Sequence, residues 1–226
     1  MIWVFGAWLS WAHPDHSEES VQSELEPVLW LLPNEAERQE LTKEYLKKHC
    51  GKACEKDGEY SVYMTPKVVV IHWTAGSSAK SAWNTFAKAT LRGRKDIRSG
   101  GSVNVSSQYL IGRDGTIYQL SDPTRVSRHC IGLNHLSIGI ENVGDGKKYP
   151  LTKAQIASNI TLIRHLHKRY PITHLIGHHE HNKMRGHEYF IEKDPNYKSY
   201  KPDPGDAIMK QLRLGLQDLS LKGVPE

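Results

Sequence analysis

Val68-Val69-Val70-Ile71-His72-Trp73 is the stretch that decides the fold. A continuous Val/Ile run is typical of a strand that is buried on both faces of a sheet. This run ends in His72-Trp73 and is followed by Thr74-Ala75-Gly76, so a buried strand delivers an imidazole into a glycine-containing loop. A single histidine in such a position is more often a hydrogen-bonded core residue than a metal ligand. The stretch therefore predicts a strand and, by itself, no site.

Strand and helix patterns alternate downstream of this strand, which indicates an α/β fold. Residues 106–120 predict a β-hairpin, because two apolar segments flank Arg113-Asp114-Gly115 and the Asp-Gly pair favours a tight turn. The other predicted elements, in chain order, are a strand over 67–73, a helix over 79–91, a loop over 92–104, a strand over 136–143, a helix over 152–169, a strand over 172–176, a long loop over 179–204 and a helix over 206–219.

The first 60 residues have a different character. Residues 1–16 are mostly apolar at their start, but no Lys or Arg precedes the apolar run, which is also too short to span a membrane. A shortened export signal, a membrane-seeking anchor and an apolar strand all remain open. Residues 17–60 have helical spacing followed by a polar connector, and two helices broken near Pro33-Asn34 fit best. We place the catalytic domain at 61–226.

Composition limits the class of protein. The chain has 226 residues, 38% of them hydrophobic and 24% charged, which predicts one soluble core with an appendage. The net charge of +5 favours weak attraction to polyanions, but the basic residues are scattered among acidic ones. We therefore expect no specific nucleic-acid partner, and we expect a monomer.

Three cysteines leave the redox state open. Cys50 and Cys54 are close in sequence, and Cys130 stands alone far downstream. A local Cys50–Cys54 disulfide and two free thiols near a helix end are equally consistent with this spacing.

Three side chains are candidate ligands for a zinc ion, which needs about three N or O donors from rigid elements. His72 ends one strand, and His178 follows the apolar segment Leu175-Ile176-Gly177 in the same way. Asp203 lies between two prolines just before the last helix. Each position also has an ordinary structural explanation, such as a solvated loop histidine or a helix-capping aspartate.

The conjunction of motifs resembles the zinc-dependent N-acetylmuramoyl-L-alanine amidase family, which includes the peptidoglycan recognition proteins. The resemblance rests on the following ordered segments: Val70-Ile71-His72-Trp73-Thr74-Ala75, Tyr109-Leu110-Ile111-Gly112-Arg113-Asp114-Gly115, Ser137-Ile138-Gly139-Ile140-Glu141, Ile176-Gly177-His178 and Lys201-Pro202-Asp203-Pro204-Gly205. It implies a central mixed β-sheet flanked by helices, here with an N-terminal helical extension, and one Zn²⁺ per chain. It also implies cleavage of the amide between N-acetylmuramic acid and L-alanine in peptidoglycan or muropeptides.

Carried over to this sequence, the resemblance assigns His72, His178 and Asp203 as metal ligands. Glu141 matches the acidic residue that activates water, and Lys201 matches a basic residue near the developing negative charge. Asp194 and His187 remain alternative third ligands, because the loop before Asp203 is long.

Four further residues are implied to bind substrate, namely Trp73, Thr74, His129 and Asn134. His129 and Asn134 follow a departure from the family pattern, because Arg128 and Cys130 replace a tryptophan and an alanine, and this changes the shape of the groove. Ser107 likewise replaces a tyrosine found in some relatives.

Three functions follow in order of support: a peptidoglycan amidase, a non-catalytic module that binds muropeptides, and a hydrolase for another amide. We expect export to the periplasm or the cell exterior, with a cytoplasmic location left open. Membrane association would come only from residues 1–16.

Overall fold

The computed structural model describes residues 25–225 and is built on a six-stranded mixed β-sheet. The strands are β1 (Val28–Leu29), β2 (Glu55–Lys56), β3 (Glu59–Tyr60), β4 (Val68–Trp73), β5 (Tyr109–Ile111), β6 (Ile117–Gln119), β7 (Ser137–Asn142) and β8 (His174–Gly177). The helices are α1 (Glu35–His49), α2 (Ala79–Ala87), α3 (Lys153–Arg169) and α4 (Asp206–Gly215). Single 3₁₀ segments span Gly51–Cys54, Arg98–Gly100, His178–Met184 and Gln217–Leu219.

The strand order across the central sheet is β1-β6-β5-β7-β4-β8. Only β5 and β6 pair antiparallel, while the other neighbours are parallel. The short strands β2 and β3 form a separate antiparallel ribbon. The expected α/β fold with a mixed sheet flanked by helices is confirmed.

Strand β4 has the central position that its sequence predicts. Val68 through Ile71 are fully buried, because β4 has a hydrogen-bonded strand on each side and packed elements on both faces. Val69 and Ile71 pack in the cluster with α3 and α4. Val68 and Val70 pack on the opposite face, with residues of the 130–136 loop. Alternation along the strand puts His72 on this second face, away from α3 and α4.

Helix α3 begins and ends where its sequence predicts. The Thr152 hydroxyl accepts a hydrogen bond from the Gln155 backbone N–H, and the Gln155 side chain accepts one from the Thr152 N–H. This capping box satisfies two donors of the first turn, which have no partner within the helix. The helix then buries Leu162, Ile163 and Leu166 against the sheet.

Helix α2 is shorter than the 79–91 prediction. It ends at Ala87, and Thr90 forms an isolated antiparallel bridge with Val103. The Asn104 side chain donates to the carbonyl oxygens of Thr85 and Lys88, which satisfies acceptors at the helix end. The helix stops because Val103 and Asn104 supply hydrogen-bond partners for the residues at its end. The spacing of apolar residues within 79–91 does not reveal these distant partners.

The hairpin predicted over 106–120 is confirmed by the antiparallel pair β5–β6. Gly115 has a φ of 91°, the conformation that the turn requires and that glycine adopts without strain. The strands over 67–73, 136–143 and 172–176 are also present, with bounds that differ by up to two residues.

The sequence predicts two helices in the N-terminal extension, and the prediction of the first one is wrong for residues 25–32. This segment is extended and includes β1, which pairs parallel with β6. The Trp30 and Leu32 backbone N–H groups donate to the carbonyl oxygens of Gln119 and Leu120. A partner strand distant in sequence satisfies the backbone here, so the helical spacing of apolar residues was misleading. The second predicted helix is present as α1.

Residues 1–24 and 226 lie outside the described residues, and with them the predicted signal or anchor over 1–16. The boundary that we drew at residue 61 stays a prediction. Within residues 25–225, no helix combines the length and the apolar character needed to cross a membrane. Cys50 and Cys54, the pair left open by the sequence, form a disulfide with a Cα–Cα distance of 5.6 Å, and Cys130 is a buried free thiol.

Candidate metal centre

Two parallel strands and one loop bring His72, His178 and Asp203 together. His72 lies near the end of β4, and His178 directly follows β8, the parallel neighbour of β4. Ligand sites in such sheets form beyond the carboxyl ends of the strands, which is where both imidazoles lie. Asp203 arrives from the loop before α4, and its carbonyl oxygen accepts a 2.7 Å hydrogen bond from the His179 backbone N–H.

Each of the three side chains points one potential ligand atom at a common space. The Nδ1 atoms of His72 and His178 are 2.9 Å apart, and Asp203 Oδ2 lies 3.4 Å from the first and 3.1 Å from the second. Ligands about 2.1 Å from a tetrahedral ion are separated by roughly 3.4 Å, close to this spacing. Two imidazoles and a carboxylate suit Zn²⁺, so the residues fit the metal that the sequence implied.

The protonation states of this group also suit a cation. Burial, followed by the neighbouring His178, lowers the pKa of His72 to about 4, and burial lowers the pKa of His178. Burial alone would raise the pKa of Asp203, but hydrogen bonds with His178 and His72 outweigh it and leave that pKa below its usual range. At neutral pH the group therefore offers two neutral imidazoles and one carboxylate, which are the forms that bind metal.

Glu141 lies beside this group on the adjacent strand β7, in register with His72. Its Oε2 atom is buried and has no hydrogen-bond partner within residues 25–225. Burial, and then the negative charge of Asp203, raises the pKa of Glu141 well above its usual value. A divalent cation nearby would favour the ionised carboxylate again. A carboxyl in a cleft with one buried and unpaired oxygen marks a candidate for acid–base chemistry.

Lys201 lines the same cavity as Glu141 and the three ligand residues. Its Nζ atom lies 3.5 Å from Asp96 Oδ2, and Asp96 also accepts two hydrogen bonds from the Arg94 guanidinium. The positive charges of Lys201 and Arg94 act to lower the pKa of Glu141, although burial outweighs them. The structure thus places a partly exposed ammonium in the wall of the cavity.

His129 makes contacts that the sequence did not anticipate. Its Nδ1 atom lies 3.1 Å from His72 Nε2, and its Nε2 atom lies 3.2 Å from the Ser137 carbonyl oxygen. With Nδ1 of His72 facing the metal site, Nε2–H of His72 donates to His129, and Nε2–H of His129 donates to Ser137. Metal-binding histidines are commonly oriented by such a bond from their second nitrogen.

The other three residues implied to bind substrate differ in their exposure. Trp73 and Thr74 are half-buried and line the cavity. Asn134 is buried, and its oxygen accepts hydrogen bonds from the backbone N–H groups of His129 and Cys130. Its amide nitrogen donates to the Tyr45 hydroxyl. Asn134 therefore holds the loop that carries His129.

Neither alternative third ligand belongs to the His72, His178 and Asp203 group. His187 packs edge-on against His174, at the opposite end of β8 from His178. Asp194 accepts a hydrogen bond from the Asn196 backbone N–H. Among the described residues, Asp203 is the carboxylate that completes the group.

The sequence missed the structural role of Arg128. This residue is 4% exposed, and its guanidinium donates to the carbonyl oxygens of Ile97, Gly101 and Val103 and to the Tyr197 hydroxyl. It thereby fixes the 92–104 loop, which contributes one wall of a cavity of about 390 Å³ around the metal-ligand group. The sequence drew attention to Arg128 only because an arginine replaces the family's tryptophan there. That replacement did not indicate that the side chain is buried.

The fold and the site together define an α/β protein with a buried His-His-Asp group whose geometry suits a metal ion, and with an adjoining carboxyl. A family model described as N-acetylmuramoyl-L-alanine amidase matches residues 62–206. The chain belongs to this family. The match spans the strands and loops that carry all of the candidate site residues.

Solved structures of similar proteins include amidases and peptidoglycan recognition proteins. The N-acetylmuramoyl-L-alanine amidase LysC from Clostridium intestinale URNW is 22% identical over 72% of this chain and 90% of its own, with a TM-score of 0.48. Peptidoglycan recognition protein-LE, solved with tracheal cytotoxin, is 21% identical over 68% of this chain and 82% of its own, with a TM-score of 0.48. The E. coli amidase AmiD is 25% identical over 70% of this chain and 64% of its own, with a TM-score of 0.46. No curated protein matched the chain.

Proposed function

We propose that this protein is a zinc-dependent N-acetylmuramoyl-L-alanine amidase, which hydrolyses the amide between N-acetylmuramic acid and L-alanine in peptidoglycan or muropeptides. The observation that carries the proposal is the buried group of His72, His178 and Asp203 with Glu141 on the adjacent strand. Membership of the family supports the choice of substrate. One Zn²⁺ per chain would be held by the two Nδ1 atoms and the Asp203 carboxylate.

A bound Zn²⁺ supplies Lewis-acid polarisation and makes water a better nucleophile at neutral pH. Glu141 accepts a proton from the attacking water and passes it to the amide nitrogen, so the C–N bond breaks and the free amine leaves. The Lys201 ammonium stabilises the negative charge that develops on the carbonyl oxygen. Burial of the ligands excludes water from one side of the site and strengthens these electrostatic interactions.

The expected location and partners rest on this substrate. A cell-wall substrate favours export to the periplasm or the exterior, with peptidoglycan or muropeptide as the partner. Any membrane association would depend on residues 1–16. A single chain contains all of the proposed site residues, which supports activity as a monomer.

Mass spectrometry of products from purified peptidoglycan and from soluble muropeptides tests the proposal. The full chain should release stem peptides with a free L-alanine amino group, lose this activity with a chelator, and regain it when about one equivalent of Zn²⁺ is added. Product formation by the zinc-loaded protein separates the proposal from its main alternative, a non-catalytic muropeptide-binding module. A zinc-loaded protein that binds muropeptides without cutting them would favour that alternative.

A further inference from the structure

A second group of metal-binding side chains lies outside the cavity that holds the proposed active site. The Sγ atoms of Cys50 and Cys54 and a ring nitrogen of His135 all lie within 4.8 Å of one another. Cys50 directly follows α1, Cys54 ends the next 3₁₀ turn, and His135 belongs to the 130–136 loop. None of the three lines the active-site cavity.

The His135 ring is available as a ligand. Across residues 25–225 it forms no hydrogen bond or ion pair, although it is half-buried beside the disulfide. The two sulfur atoms are bonded to each other in the structure. The group therefore has the residue types of a zinc site, but the S–S bond prevents the sulfur atoms from acting as thiolate ligands.

A small cavity beside the group supplies a second observation. The cavity is about 10 Å³ and is lined by Cys50 and His135 together with His49 and Glu192. This volume suits about one water molecule. The Glu192 side chain is buried, and its Oε2 atom has no hydrogen-bond partner among the described residues. An unpaired carboxyl oxygen on a residue that lines the cavity indicates a site for a polar group, because such atoms are costly to bury alone.

We propose that the reduced protein binds one Zn²⁺ through Cys50, Cys54 and His135. Two thiolates and an imidazole are the donor types of zinc sites, and the separation of the two cysteines by three residues lies within the usual range. Solvent would complete the tetrahedron. This ion would be distinct from the one held by His72, His178 and Asp203.

The site is gated by a thiol–disulfide reaction. A dithiol reductant gives two electrons and two protons to the disulfide, which leaves thiols on Cys50 and Cys54 while the reductant becomes a cyclic disulfide. Zinc then displaces both thiol protons, which pass to solvent, as the two metal–sulfur bonds form. A disulfide oxidant that takes two electrons from the two thiolates and two protons from solvent becomes a dithiol, which restores the Cys50–Cys54 bond and releases the metal.

The metal would change which elements are cross-linked. The disulfide joins positions only four residues apart, whereas the zinc ion would join the end of α1 to the 130–136 loop. This loop also contains Asn134, which holds the backbone of His129. A ligand that binds the folded chain alone stabilises it, so zinc should raise the Tm of the reduced protein.

Cobalt substitution in the full chain tests this proposal, because thiolate–cobalt bonds give a near-ultraviolet charge-transfer band and the His-His-Asp site has no sulfur. Metal-free protein, either oxidised or reduced with a phosphine, is titrated with Co²⁺. We expect the band in the reduced protein only, with the amplitude of one thiolate-bound Co²⁺ per chain while the His-His-Asp site takes up a second Co²⁺ without this band, and its loss on addition of Zn²⁺. Cys54→Ser should abolish the band, and His135→Ala should weaken Co²⁺ binding at this site at least about tenfold.

Cys130→Ser is the matched control, since it removes the remaining thiol and should leave the band unchanged. Circular dichroism of each variant confirms that it folds. A reduced wild-type protein without the band, or a band that survives in Cys54→Ser, would overturn the proposal. Amidase activity is measured separately, so failure of one proposal leaves the other intact.

Discussion

Nε2 of His72 lies 3.1 Å from Nδ1 of His129, and Nε2 of His129 lies 3.2 Å from the Ser137 carbonyl oxygen. This chain of hydrogen bonds fixes the orientation of the His72 ring and leaves its Nδ1 atom facing His178 and Asp203. His129 therefore acts as a positioning residue for the proposed metal site, in addition to any contact that it makes with substrate.

Replacement of His129 by alanine should lower zinc affinity about 10- to 100-fold, because His72 loses its orienting partner. Competition with a chromophoric chelator measures the affinity. His174→Ala is the matched control, since it removes a buried imidazole at the opposite end of β8. Equal zinc affinity in wild type and His129→Ala would contradict the positioning role.

Glu141→Gln should reduce kcat about 10²- to 10⁴-fold, because the glutamine side chain cannot accept the proton from the attacking water. Zinc content should stay at one equivalent, since Glu141 is not among the three ligands. Muropeptide hydrolysis and metal analysis on the same preparation check both statements. Hydrolysis at the wild-type rate would show that Glu141 is not the base.

The same substitution should stabilise the metal-free protein by an amount that grows with pH. The pKa of Glu141 is raised in the folded state, so below the pKa of the unfolded chain both states are protonated and Glu141 has no effect. As pH rises above about 4.5, the unfolded chain ionises first and wild-type stability falls. Urea unfolding of both metal-free proteins should therefore show an advantage for Glu141→Gln that grows from pH 4.5 to 7, and an advantage that shrinks with pH would contradict the buried neutral carboxyl.

Lys201→Met should lower kcat about 10²- to 10³-fold if the ammonium stabilises the developing oxyanion. Lys201→Arg should retain part of the rate, because it keeps the positive charge beside Asp96. Lys198→Met, an exposed lysine three residues away, is the matched control. A change confined to KM would assign Lys201 to ground-state binding of the substrate instead.

Arg128→Met should destabilise the protein and loosen the 92–104 loop. Three carbonyl oxygens lose a buried donor, and each one that remains dry costs about 1–3 kcal/mol. Urea unfolding measures the loss, and hydrogen exchange should accelerate within the loop. Arg92→Met, at an exposed position in the same loop, should change neither quantity. Unaltered exchange in Arg128→Met would show that other contacts hold the loop.

The residues of β4, α3 and the β5–β6 hairpin determined their own structures. A continuous Val/Ile run, a Thr152–Gln155 capping box and an Asp-Gly turn each act over a few residues, so local sequence is sufficient to predict them. The order of the motifs likewise indicated the family and the identity of the candidate ligands before any distance was known.

Only the tertiary structure decided which partners the remaining groups find. Residues 25–32 are extended because β6 supplies their hydrogen bonds, and Arg128 is buried because carbonyls of the 92–104 loop surround it. His129 contacts His72 across 57 residues, and Asp203 rather than Asp194 or His187 completes the ligand group. Such contacts depend on which strands become neighbours and on which face each side chain lies, and that information is distributed over the whole chain rather than contained in any short segment.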